Sequence, residues 1–139
     1  MRLDFKNLSI ISEKGKLPNL PFLKIKNEIL GVDYNLTVIY TSKEKNLELN
    51  KKYRSKDYIP NILTFPISED EGEMYISRGV AYTQYKDFSM HYKKYLLLLI
   101  IHGCLHLKGM GHDTKKDLEN MLQLENDIAD KHWKHCKSK

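Results

Sequence analysis

The sequence is poor in cysteine and has no long apolar run, and each shortage excludes a class of protein. Only two cysteines occur in 139 residues, Cys104 and Cys136, too few for a scaffold held together by disulfides. The longest apolar run, Leu96 to Ile101, is far too short to cross a bilayer, and no apolar signal region is present at the N-terminus. There is no internal repeat, linker or low-complexity stretch. We therefore expect one cytoplasmic domain over residues 1–139, with no membrane partner.

The charge balance is mildly basic. Twenty-three lysines and arginines stand against 18 acidic residues, which gives a formal net charge of +5. A basic excess favours an anionic partner, of which nucleic acid is the commonest, although many basic proteins bind nothing anionic. Hydrophobic residues make up 41% and charged residues 29%, which is ordinary for a globular protein.

Periodicity predicts an α+β domain in which most strands precede most helices. We expect a small mixed sheet of four strands, packed with a buried central helix and further helices. The predicted strands are residues 2–11, Leu36–Tyr40, Ile62–Phe65 and Met74–Ile76, with an acidic loop over Glu69–Glu73. The predicted helices are Leu17–Leu30, a short one capped by Thr41 or Ser42, one starting near Arg78, a long one over Tyr92–Lys108, and a last one opened by Thr114.

Three histidines, His102, His106 and His112, stand on and just after the long helix with the spacing H-x3-H-x5-H. The first two are four residues apart, so they project from one face of a helix. Gly109 can end that helix at positive φ, which would let the chain return with His112 from outside it. Three converging imidazoles suit one tetrahedral Zn²⁺ per chain with a fourth position left open, as in catalytic sites. A lone histidine would not justify this interpretation, but three in eleven residues do.

The same spacing occurs in zinc proteases of the HExxHxxGxxH type, whose glutamate is the general base. Gly103 occupies that position here. Without a carboxylate beside the metal, the usual peptidase mechanism has no proton acceptor, so the sequence argues against a peptidase.

A second segment makes the chain recognisable. Asn50 to Pro66 reads NKKYRSKDYIPNILTFP, Gly72-Glu73 follows, and His102 to His112 reads HGCLHLKGMGH. In this order, the three motifs resemble those of the YbeY family of bacterial metal-dependent endoribonucleases that mature ribosomal RNA. The resemblance spans about residues 34 to 128.

The chain departs from the family's motifs at three points. Ile59-Pro60 stands where the family has Pro-Thr, Gly72-Glu73 where it has Gly-Asp, and Gly111 where it has Asp. Asp113 follows the third histidine and is a candidate for a carboxylate that supports it. None of these differences removes a metal ligand.

The resemblance implies a single-strand-directed, metal-dependent endoribonuclease that acts in 16S rRNA 3′-end maturation, late ribosome assembly and ribosome quality control. The implied partners are ribosomal RNA and the small ribosomal subunit, with a ribosomal protein or an assembly GTPase as further candidates, and no organic cofactor. Arg54 would bridge phosphate oxygens with its planar fork, as a catalytic residue beside the three histidines. Lys51, Lys52 and Lys56 would follow the RNA backbone, with Tyr53 or Tyr58 available for base stacking.

Two questions stay open at the level of sequence. No general base is evident, which leaves hydroxide at the metal and the RNA 2′-hydroxyl as alternatives. A non-catalytic, zinc-stabilised ribosome assembly factor is the competing function.

Overall fold

A five-stranded mixed sheet is the frame on which the helices pack. The computed structural model describes residues 1–58, 60–88, 90–111 and 113–136. The strand order across the sheet is β1-β2-β3-β5-β4. β2, β3 and β5 run parallel to one another, and the two edge strands, β1 and β4, run antiparallel to their inner neighbours. The strands are β1 (Arg2–Phe5), β2 (Leu8–Ser12), β3 (Asn35–Thr41), β4 (Ile62–Ser68) and β5 (Glu71–Ser77).

One long apolar helix lies at the centre of the helical layer. The helices are α1 (Phe22–Ile29), α2 (Lys43–Arg54), α3 (Arg78–Gln84), a short 3₁₀ helix (Tyr85–Phe88), α4 (Tyr92–Leu107) and α5 (Lys115–Cys136). α4 packs against α1 and α5 and over β4 and β5. None of the helices that the structure describes is both long and apolar enough to cross a membrane.

Strand alternation explains which sheet face α4 covers. In β3, Leu36, Val38 and Tyr40 are buried while the residues between them are half-exposed. Successive side chains point to opposite faces of a strand, so this buried set forms one face. Met74 and Ile76 of β5 pair with Val38 and Tyr40 and continue it. The α+β class and the buried central helix are thus confirmed.

The predicted number of strands was wrong. The sequence favoured one strand over residues 2–11, but the chain turns at Asn7, which has φ of 62°. The turn separates β1 from β2 and pairs them as a hairpin in which Phe5 lies opposite Leu8. The polar pair Lys6-Asn7 interrupts the apolar alternation at this point, and asparagine tolerates positive φ better than most residues. The sheet therefore has five strands rather than four.

Two helix boundaries also differ from the prediction. α1 begins at Phe22 rather than Leu17. Pro18 and Pro21 account for the late start, because a proline disfavours helical backbone at the residue before it. α2 begins after the Ser42 cap, whose hydroxyl accepts from the Lys45 amide, and continues through Arg54. The start of the recognisable segment Asn50–Pro66 is therefore the last turn of this helix.

The predicted acidic loop is mostly strand. Only Glu69 and Asp70 form the turn between β4 and β5, and Ser68 pairs with Glu71 across it. A register shift between Pro66 and Ser68 marks a bulge in β4. Pro66 is tolerated because β4 is an edge strand, where a missing amide proton costs least.

Candidate metal centre

α4 brings His102 and His106 together on one face. The two side chains are half-buried, and their Nε2 atoms lie 2.9 Å apart. The ring centroids are 4.4 Å apart, with the planes at 76°. The predicted end of the helix is confirmed. Gly109 has φ of 105° and donates its amide to the His106 carbonyl at 2.9 Å. The i and i+4 spacing therefore produces the convergent pair that the sequence predicted.

A carboxylate on α5 orients the first histidine. Glu125 Oε1 lies 2.8 Å from Nδ1 of His102, and Glu125 is only 7% exposed. An ionised carboxylate can only accept, so Nδ1 carries the proton and Nε2 is left as the lone-pair nitrogen. Such a carboxylate behind a histidine is the usual support of a metal ligand.

Sequence reasoning missed Glu125, although a signal for it exists. It lies four residues after Met121 and three before Ile128, on the buried stripe of α5. A carboxylate on an apolar helical stripe is rarely buried without a partner. The partner, His102, is 23 residues earlier in the chain.

The histidine pair fits the zinc that the sequence predicts. Two nitrogens bound tetrahedrally to one Zn²⁺ at about 2.0–2.1 Å are separated by about 3.3 Å. The 2.9 Å between the two Nε2 atoms needs only a small side-chain adjustment to reach this value. His112, the predicted third ligand, lies outside the described residues. Among residues that are described, no group of three His, Cys, Asp or Glu side chains is arranged to hold a metal.

Arg54 reaches the same region from the end of α2. Its guanidinium donates to the Thr64 carbonyl of β4 at 2.8 Å and lies 5.6 Å from the centre of the Phe65 ring. Ser55, which follows, has φ of 54° and ends the helix. The outer edge of β4 therefore holds Arg54 in place.

Two buried amides fix the segment between α2 and β4. Asn46 donates to the Pro60 carbonyl at 3.2 Å, and Asn50 donates to the Tyr58 carbonyl at 3.0 Å. Both side chains are fully buried. Asn50, the first residue of the recognisable motif, thus helps to shape the loop that flanks Arg54.

The histidine pair and Arg54 line one open groove of about 540 Å³, which we call the histidine groove. It runs between α4, β4 and the end of α2. Its lining consists of Asn50, Arg54, Tyr58, Pro60, Asn61, Ile62, Leu63, Thr64, Pro66, Gln84, His102 and His106. Imidazoles and a guanidinium in one open groove suit an anionic, extended ligand such as a phosphodiester.

The predicted RNA-binding lysines lie beside this groove. None of the described residues that line it is a lysine. Lys51 pairs with Asp57 at 3.3 Å, and Lys52 lies 5.2 Å from the Tyr53 ring centre. Lys56 is exposed just beyond the end of α2. The structure thus groups these lysines near Arg54 but outside the groove.

Gly103 and Cys104, between the histidines, face the protein interior. A Cβ added to Gly103 would lie 2.9 Å from the ends of Ile62 and Met74, so glycine allows α4 to approach the sheet closely. Cys104 is fully buried, and burial raises the pKa of its thiol to about 12. It is therefore an inert packing residue.

Comparison with known proteins identifies relatives over most of the chain. The model of the family described as Endoribonuclease YbeY matches residues 19–132. A protein of that name from Thermotoga neapolitana is 33% identical over 116 residues, which covers 82% of this chain and 76% of the relative. Another of that name, from Methylobacillus flagellatus, is 31% identical over 123 residues, covering 86% and 83%. The solution structure of a Thermotoga maritima protein superimposes with a TM-score of 0.68 at 30% identity, covering 93% of this chain and 92% of that one.

Proposed function

The chain belongs to the endoribonuclease YbeY family, and from this membership we propose that it is a metal-dependent endoribonuclease that cuts single-stranded RNA. The observation that carries the proposal is the shared groove. His102 and His106 line it from α4, and Arg54 lines it from α2. A phosphodiester in this groove would meet a metal-ligating pair and a guanidinium at once.

The proposed metal is Zn²⁺, one per chain, held by His102, His106 and His112. When bound, zinc acts as a Lewis acid towards a phosphoryl oxygen. Glu125 orients His102 through the 2.8 Å hydrogen bond to Nδ1, which leaves Nε2 as the nitrogen that would coordinate the metal.

Arg54 is the proposed phosphate-binding and catalytic residue. Arginine has five N–H donors. Among the described residues, the Arg54 guanidinium donates one hydrogen bond, to the Thr64 carbonyl. The remaining donors can reach two oxygens of one phosphate, where charge increases during cleavage. The Thr64 carbonyl and the Phe65 ring hold the fork in position before substrate arrives.

An aromatic surface beside Arg54 supports a single-stranded substrate. Tyr53, 59% exposed, contacts Phe65 with ring centres 5.5 Å apart, and Phe65 contacts Tyr75 at 5.8 Å. Unpaired bases stack on such rings, whereas the bases of a duplex are already stacked on one another. Lys51, Lys52 and Lys56 would add backbone contacts around this surface.

The biological setting belongs to the same proposal. We propose a cytoplasmic role in 16S rRNA 3′-end maturation, late ribosome assembly and ribosome quality control, as the resemblance of the sequence motifs implies. The partners would be ribosomal RNA and the small ribosomal subunit, together with a ribosomal protein or an assembly GTPase. No organic cofactor is required for phosphodiester hydrolysis at such a site.

Metal analysis combined with a cleavage assay tests the activity. We expect one equivalent of zinc and cleavage of an unstructured RNA oligonucleotide, with much slower cleavage of a perfect duplex. Chelation should abolish cleavage and added Zn²⁺ should restore it. A fully metal-loaded protein that cuts neither RNA would contradict the proposal.

One observation favours a second function, a zinc-stabilised assembly factor without catalysis. The His102–Glu125 hydrogen bond joins α4 to α5, so a bound metal would also strengthen the contact between these helices. Full biological activity of an Arg54→Ala variant that cuts nothing would support this function instead.

A further inference from the structure

A second cavity, about 400 Å³ in volume, adjoins the histidine groove between α4 and α5. We call it the apolar pocket, because its walls are mainly Leu98, Leu99, Leu118, Met121 and Leu122. Three residues line both spaces: Asn61, Ile62 and His102. A ligand at the histidine pair could thus extend into the apolar pocket without leaving the protein surface.

The rim between the two spaces carries a hydrogen-bonded polar network. The Asn61 amide donates to Tyr95 Oη at 3.0 Å and to Gln84 Oε1 at 3.2 Å, and Tyr95 Oη donates to the same oxygen at 3.2 Å. Among the described contacts, these bonds leave the side-chain oxygen of Asn61, Oδ1, and the side-chain nitrogen of Gln84, Nε2, unused. An acceptor and a donor thus remain available on side chains that line the groove.

We propose that the apolar pocket binds a nucleobase next to the phosphodiester that is cut, a proposal that rests on the function proposed above. A phosphodiester at the histidine pair has a nucleoside on each side. A base has two flat apolar faces and a polar edge, and the pocket offers apolar walls with a polar rim. The pocket's volume lies in the range of small-ligand sites.

The exposed leucines support this occupant. Leu118 and Leu122 are 43% and 49% exposed, although both line the pocket. A flat apolar ligand that covers these exposed side chains removes apolar surface from water, which favours binding. Because the cavity is continuous with the histidine groove, a base of the bound strand is the ligand already closest to it.

RNA strands that lack one base test the proposal on the metal-loaded full chain. The substrate is a short single-stranded RNA with one cleavage position, and each nucleoside in turn is replaced by an abasic one. We expect the abasic residue on one side of the cut bond to slow single-turnover cleavage at subsaturating protein by about 5- to 150-fold, taking the stacking of a base on an aromatic side chain as the reference. Abasic residues farther away should change the rate less than about twofold.

Two matched variants of α5 locate the effect in the pocket. Leu122→Glu places a charge in the pocket wall, whereas Leu124→Glu makes the same change at a residue of α5 that is 37% exposed and does not line the pocket. Leu122→Glu should slow cleavage of the intact RNA and so reduce the ratio of the cleavage rates of intact and abasic RNA. Leu124→Glu should leave that ratio unchanged. Zinc content and melting temperature should match the parent in both variants.

Failure of this proposal can be told apart from failure of the proposed function. Equal cleavage of intact and abasic RNAs, or equal effects of the two variants, would overturn the base-binding pocket while leaving the endoribonuclease in place. Binding of the intact and abasic strands to the Arg54→Lys variant, which should bind RNA but cut it slowly, is measured in parallel. If the parent cuts neither strand but binds the abasic strand more weakly than the intact one, and Leu122→Glu removes this difference, the result would support the pocket and contradict the nuclease.

Discussion

The two edges of the sheet are built alike but are covered differently. β1 and β4 are both antiparallel edge strands, each paired through a hairpin with an inner strand. All four residues of β1 are exposed, and the hydrogen bonds that Asp4 accepts, from Arg2 and from Ser9 of β2, lie at the surface. At β4, in contrast, α4 packs over the strand and Arg54 bonds to its outer edge. An edge strand thus becomes a candidate site when helices bring charged side chains to it.

Among the changes considered, loss of a histidine should have the largest effect on the site at the β4 edge. We expect His106→Ala to reduce zinc affinity more than about 100-fold, because even a residue that only orients a ligand costs about 10- to 100-fold. RNA cleavage should fall with zinc content. Elemental analysis of parent and variant provides the measurement, with one equivalent expected in the parent. Two equivalents in the parent, or undiminished zinc in the variant, would refute a single site on these histidines.

Exchange of arginine for lysine compares the two edges directly. Arg54→Lys keeps the charge but loses the two-pronged donor, so we expect turnover to fall by about 10²-fold while RNA still binds. Arg2→Lys on β1 is the matched control and should cleave like the parent. Single-turnover kinetics at saturating protein, with melting curves and zinc content, distinguish a catalytic loss from unfolding. Normal cleavage by Arg54→Lys would remove Arg54 from the mechanism.

Glu125→Gln should weaken the metal centre without changing its shape. The amide can keep the contact with His102 but no longer provides a carboxylate acceptor, so zinc affinity should fall about 10- to 100-fold. Glu119→Gln, on the exposed part of the same helix, should have no effect. Competition with a chelator of known affinity measures the difference. Equal zinc affinity in the two variants would show that Glu125 serves packing alone.

The lysines near Arg54 should change the salt dependence of RNA binding. Each lost phosphate contact on a single strand should flatten the slope of log K against log salt by about 0.7. We expect the combined Lys51→Ala, Lys52→Ala and Lys56→Ala variant to show a shallower slope than the parent, with the smallest share from Lys51, which is paired with Asp57. Lys6→Ala, near β1, is the control. An unchanged slope in the triple variant would place the RNA elsewhere.

Removal of the ion pair on β1 should have the smallest effect. Arg2 pairs with Asp4 at 2.9 Å, with both side chains 57% exposed, and exposed pairs contribute little. Hydrogen bonds from Arg2 and then Ser9 lower the pKa of Asp4. A carboxyl group whose pKa is lowered by folding stabilises the fold above its unfolded pKa. This stabilisation is lost as the pH falls through the folded pKa. Any small loss of melting temperature in Arg2→Ala at neutral pH should therefore disappear in acid. A large loss would show that the β1 edge also depends on its charged side chains.

Local signals were sufficient to predict much of the helical layer. Gly109 ends α4 at positive φ, and the Thr114 hydroxyl accepts from the Asp117 amide at 3.0 Å, both as the sequence predicted. The His102–His106 contact follows from spacing on one helix. These features depend on residues within a few positions of one another, where backbone rules are strongest.

The partners that residues meet through distant contacts could not be read from the sequence. Glu125 meets His102 only because α5 packs on α4, and Arg54 meets Thr64 only because α2 ends beside β4. The apolar pocket arises from the same packing of α4 and α5. The strand count failed for a more local reason, because the turn at Asn7 contains neither glycine nor proline.

The missing side chain of Gly103 has a consequence for how this site could change during evolution. In the zinc proteases this helical position carries the catalytic glutamate. Here a side chain at that position would point at Ile62 and Met74 in the contact between α4 and the sheet. Gly103→Glu would therefore bury a carboxylate among apolar groups instead of delivering a base to the groove, and burial of an unpaired charge is strongly unfavourable. A peptidase thus lies more than one substitution away, because the helix would first have to move off the sheet.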